Sequence, residues 1–127
     1  MAYRQSELTV ITKAKELCSY VLTVTEKSPK RSRFTLVAKL QGYALEGVEC
    51  LYRANEVYAK TPQAAEKRLD WQHQAITAFR LLGYMAQLAM EQQCILPKQY
   101  EQITKGLYDC TNLTGAWINS DKKRTMV

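Results

Sequence analysis

Between Lys27 and Arg33 the chain places four cations, Lys27, Lys30, Arg31 and Arg33, in seven residues without an acid among them. Such a run can lay several positive charges along a phosphate backbone, releasing counterions and giving salt-sensitive binding that tolerates many sequences. A second cluster, Lys122, Lys123 and Arg124, lies near the end of the chain. The formal net charge is +6. Setting these seven cations aside leaves eleven basic against twelve acidic residues, so the excess belongs to one connection and one tail. An anionic partner is the chemistry this distribution fits.

In the remainder of the chain, Glu49 with Arg53, Glu56 with Lys60, Glu101 with Lys105, Lys13 with Glu16 and Lys67 with Asp70 stand at helical pairing distance. Lys15, Lys39, Arg68 and Arg80 have no acid so placed. Arg80 adjoins Phe79 in a strongly apolar stretch, where a guanidinium snorkels to the surface, meets an acid from another helix or subunit, or faces a phosphate. Lys39, Arg68 and Arg80 therefore join the two clusters as candidate nucleic-acid contacts.

Other reactive side chains are sparse. His73 stands alone between two glutamines, and Cys18, Cys50, Cys94 and Cys110 are widely separated, with no Cys-x-x-Cys pair. They read as core thiols of a reducing cytoplasm rather than metal ligands. Glu46 and Glu49 share a helical turn but bring no histidine. No glycine-rich phosphate loop and no repeated Glu-x-x-His motif occurs. The chain is accordingly read as non-enzymatic, with no cofactor and no metal. Its opening residues lack the apolar stretch of a secretory signal, and no apolar run is long enough to span a bilayer, so no membrane partner is expected.

The elements that must hold these cations are helices. In 127 residues, 46% are hydrophobic and only five are Gly and three Pro, which suits one helical domain and disfavours a β-sandwich. Val10, Ala14, Leu17, Val21 and Val24 stripe a first helix over about 6–27, broken at Ser28-Pro29. Val37, Leu40, Ala44, Val48, Leu51 and Tyr58 stripe a second over about 34–59. Thr61-Pro62 is a helix start, and Leu69, Ile76, Phe79, Gly83, Ala86 and Met90 carry a third to about 93, flanked by Ala75, Leu82 and Ala89. Tyr100, Ile103, Leu107, Cys110, Thr114 and Trp117 define a fourth over about 97–120, followed by a frayed basic tail, 121–127. Short connections between long helices predict an up-down-up-down antiparallel four-helix bundle. The two cation clusters then fall at opposite ends, roughly 30 Å apart. Eight tyrosines, with Trp71, Tyr84, Tyr100, Tyr108 and Trp117 along the helices, indicate packing or subunit contact rather than a base-stacking platform.

The segment Leu113-Thr114-Gly115-Ala116-Trp117-Ile118 with its basic tail resembles the ending of the four-helix-bundle family that contains the accessory variability determinant (Avd) of diversity-generating retroelements. That family also includes proteins encoded in intervening sequences of bacterial ribosomal RNA genes. Leu69-Asp70, Phe79-Arg80, Ile95 and Gln99-Tyr100 extend the resemblance over about residues 8–124. It implies a homopentamer without catalytic residues that binds RNA or DNA and the retroelement reverse transcriptase, supporting synthesis of mutagenic complementary DNA. Arg80 matches a position where the family commonly carries a basic residue, whereas Tyr84 stands where another basic residue is often found. A protein-interaction bundle of the intervening-sequence kind, with no reverse transcriptase partner, is the alternative expectation.

Overall fold

The computed structural model describes residues 8–125, so the first two residues of the expected first helix and the last two of the tail lie outside the described residues. The described residues form four α-helices and no strand: α1 (Thr9–Thr25), α2 (Ala38–Glu56), α3 (Pro62–Glu91) and α4 (Pro97–Thr125). Each packs against two others, in the cyclic order α1, α2, α3, α4 and back to α1.

The amphipathic stripes become one continuous core. Val10, Ile11, Ala14, Leu17, Cys18 and Val21 are buried from α1, and Leu40, Ala44, Cys50 and Leu51 from α2. On α3 the seam is rotated from its expected position. The flanking Ala75, Leu82 and Ala89 are fully buried with Phe79 and Ala86, whereas Leu69, Ile76, Gly83 and Met90 lie at its edge. Helices α2 and α3 approach closely at Gly47 of α2, which lies directly against the Phe79 ring, where a Cβ would collide with it. On α4, Ile103, Leu107, Cys110 and Thr114 are buried as expected, while Tyr58, assigned to the α2 seam, is 74% exposed beyond the end of that helix.

The helix ends are set by local hydrogen bonding. Thr61 accepts from the Ala64 amide at 3.1 Å with Pro62 in the first turn, the expected α3 start. At the other end of α3, Gln93 takes the left-handed conformation (φ 62°). Its amide donates to Met90 O at 3.0 Å and the Cys94 amide to Ala89 O at 2.7 Å, closing the helix with paired carbonyl caps. Gln99 reaches back to accept from the Leu96 amide at 2.8 Å, half of a capping box for α4.

Both ends of α2 and the far end of α4 differ from expectation, α2 stopping at Glu56 rather than about 59. The second helix does not begin at Phe34 as α-helix: Lys30–Ser32 form a 3₁₀ turn and Arg33–Val37 a π turn before α2 proper. The tail, expected to fray from residue 121, continues α4 to Thr125. Lys122, Lys123 and Arg124 lie in its last turn, where cations oppose the negative end of the helix dipole.

Candidate nucleic-acid interface

The segment from Lys27 to Val37 is anchored although it is mostly exposed. Ser28 donates from its hydroxyl to Cys94 O at 2.7 Å, and the Arg31 guanidinium donates to Gln92 O at 3.3 Å. Ser32 Oγ donates to Pro29 O at 2.9 Å, tightening the 3₁₀ turn. Below it, Gln41 of α2 donates to Thr25 Oγ1 of α1 at 2.9 Å, while that hydroxyl donates to Val21 O at 2.7 Å. The first connection is therefore tied to the α3–α4 connection, not left as an independent loop.

This tie places Lys27, Lys30, Arg31 and Arg33, all exposed, at the end of the molecule where α3 stops and α4 starts. It adds Lys98, exposed in the first turn of α4, which sequence spacing did not group with them. The acids at this end are Glu26 and Glu91, with Glu101 one turn into α4 at helical pairing distance from Lys98, all exposed. Lys39 is the second residue of α2, its ammonium 5.7 Å from the Tyr43 ring centre. Phe34, inside the π turn, is 88% exposed. Sequence reasoning gave it no role beyond opening the second helix, because apolar spacing does not show which way a side chain points in a π turn.

The other cationic cluster has a different character. Asp121 accepts from Arg68 at 3.1 and 3.3 Å and from Gln72 at 3.1 Å, and it also pairs with Arg124. Arg68 further donates to Val57 O at 2.7 Å and lies 5.6 Å from the Trp117 ring centre. Arg68 and Asp121 are about 15% exposed and Gln72 is buried. Arg68, expected among the nucleic-acid contacts, is thus a clasp joining the end of α2, the start of α3 and the end of α4. One carboxylate holds two of the cations at this end, while Lys122 and Lys123 stay exposed. Gln92 and Arg68 are 24 positions apart on and just past α3, so the two clusters are separated by about 36 Å along the helix rise.

Arg80 is exposed on α3, with no ion pair among the described residues. It is brought to neither cluster. Of the helical pairs expected from spacing, Lys13 and Glu16 close to 3.8 Å. Arg53 instead covers Trp71 at 5.2 Å from the ring centre, and Lys60 covers Tyr58 at 5.1 Å.

The remaining reactive groups are held apart or silenced. The four cysteines are free and buried. Burial, reinforced by Asp109 and Glu16 against an opposing Lys13, pushes the Cys110 thiol up to about 12. Burial likewise raises Cys18, and raises Cys50 with the help of Glu46 and Glu49. Glu46, Glu49 and His73 are exposed. Among the described residues no three His, Cys, Asp or Glu side chains converge as metal ligands, and no helix is long and apolar enough to cross a membrane. Compared with known protein families and with curated proteins, the chain matches no family model and no curated protein.

Proposed function

We propose that the chain is a non-enzymatic nucleic-acid-binding accessory protein of the Avd kind, contacting template RNA or its cDNA and the reverse transcriptase of a diversity-generating retroelement. The carrying observation is the cationic end: Lys27, Lys30, Arg31, Arg33 and Lys98 exposed together, with the first four held by a connection that is itself hydrogen-bonded to the α3–α4 connection. Cations on an anchored backbone contact phosphates with less conformational loss than cations on a free loop. The segment ending in Trp117-Ile118 and the basic last turn of α4 support the family reading.

The same reading takes the helices as an up-down-up-down antiparallel bundle. The cyclic packing order supports it, as do the contacts joining the first and third connections at one end and the second connection with the end of α4 at the other. Homopentamers are part of the proposal, and exposed Tyr52, Tyr84, Tyr108 and Leu45 supply apolar surface for contacts between copies or with the polymerase. That surface equally favours the alternative, a protein-interaction bundle without a reverse transcriptase.

A salt titration of RNA binding separates the two. Binding should weaken steeply as salt rises, and the triple variant K30E/R31E/R33E should reduce the log–log salt slope by about two units, the counterion release of three phosphate contacts. K122E/K123E should reduce it less. Absence of salt-dependent RNA binding by the wild-type chain rejects the accessory reading. A reverse transcriptase gene with a template/variable repeat pair beside the coding sequence supports the retroelement assignment over the ribosomal one.

A further inference from the structure

Phe34 stands in solvent in the middle of the cationic segment, 88% exposed, because the π turn directs Val37 into the core and leaves the phenyl ring outside. Beside it lies a shallow hollow of about 600 Å³ walled by Phe34, Thr35, Ala38, Lys39, Gly42 and Tyr43. Ala38 and Gly42 follow Phe34 along one face and provide a floor without projecting side chains. Gly42 is not required by packing within the chain: a Cβ there would meet nothing within 4 Å. Glycine is the poorest helix former after proline, so its presence inside α2 costs helix stability and leaves only open space beside the ring.

The hollow itself is lined by one cation, Lys39, and one acid, Glu46, and the exposed cations of the preceding segment run up to it. Arg33 immediately precedes Phe34, Lys30 and Arg31 lie a turn earlier, and Lys39 sits across the hollow near Tyr43. An aromatic face next to an open floor, lined by Lys39 and continuing a segment of exposed cations, matches a flat π system whose connecting groups are anionic. We propose that the hollow receives one unpaired nucleobase of single-stranded RNA, stacked on Phe34, with the adjoining phosphates held by Lys30 and Arg33 on one side and Lys39 on the other. The proposal rests on the nucleic-acid reading above and adds the form of nucleic acid and the side chain that selects it. Of the large apolar side chains at the hollow only Phe34 is exposed, which is too little apolar surface to anchor in a bilayer.

The test uses the full chain and two fluorescent RNAs of one sequence, single-stranded and as a duplex, titrated at several salt concentrations. Phe34→Ala should weaken single-strand binding by about five- to hundredfold, the range of one base–aromatic stack, and leave the duplex affinity within twofold. Because stacking releases no counterions, the salt slope should be unchanged. Phe34→Trp should retain affinity, and Gly42→Leu, which favours the helix but fills the hollow, should reproduce the selective loss. Equal loss on both RNAs, or no loss from either Phe34→Ala or Gly42→Leu, overturns the stacking site while leaving the charge-based reading standing. Failure of the wild-type chain to bind either RNA overturns both, and so does binding only to phosphatidylserine vesicles.

Discussion

At position 47 the backbone itself is a packing surface. The Phe79 ring, fully buried, rests against the Gly47 Cα, and any Cβ there collides with it. Gly47→Ala gains helix propensity yet should destabilise the protein by about 1–3 kcal/mol through overpacking, read as a lowered urea midpoint. A neighbouring glycine obeys other rules, since Gly42 faces open space. Cys110 illustrates burial acting on chemistry. With its thiol pushed up to about 12 and its side chain enclosed, it should resist thiol reagents at neutral pH until the protein unfolds, as followed by mass spectrometry. The sign of its pH dependence follows from the same shift. The folded thiol keeps its proton where an ordinary thiol, near 9.0, has lost it, so this contribution to stability is full below about pH 9 and is lost as pH rises towards 12. Single residues were unevenly legible in the sequence. The buried cysteines follow from their apolar stripes, but Phe34 and Arg68 do not, because one depends on the direction of a π turn and the other on an acid 53 positions away.

The elements were most legible where a side chain announces a helix end. Thr61-Pro62 marks the start of α3, and the capping bond forms there. The end of α3 carries no such mark, since the left-handed position that usually holds glycine holds Gln93. Gln93→Gly should therefore stabilise the protein by about 1 kcal/mol, measured as a higher unfolding midpoint, by relieving the side chain's cost in that conformation. The start of α2 was hidden because apolar spacing cannot distinguish a π turn from α-helix over five residues. The far end of α4 was hidden by its polarity: a charged stretch reads as solvated tail, but Arg124 pairs with Asp121 one turn back and Asp121 is itself fixed by Arg68 and Gln72. The α3 seam was misplaced by one flank because alanine weighs little in a hydrophobic pattern, although Ala75, Ala86 and Ala89 are fully buried.

Across the whole molecule, two cation clusters of similar composition meet different fates. At one end Asp121 gathers the largely buried Arg68 and the exposed Arg124 into one network; at the other the cations stay exposed on an anchored backbone. Local sequence showed where the charge was but not which cluster would be internally compensated, because compensation is a property of packing. Asp121→Ala should cost about 3–5 kcal/mol by leaving Arg68 enclosed without its acid, and hydrogen exchange should show early opening of the last turns of α4 and the first turns of α3. The cationic end makes its own demand on the fold. Ser28 and Arg31 find their acceptors 66 and 61 residues away, at Cys94 and Gln92. The basic segment therefore acquires its shape only once the third helix has ended and turned, late in the order of synthesis. A polyanion that grips the segment in that shape binds the closed chain better than the open one, and mass action makes it a stabiliser of the entire fold.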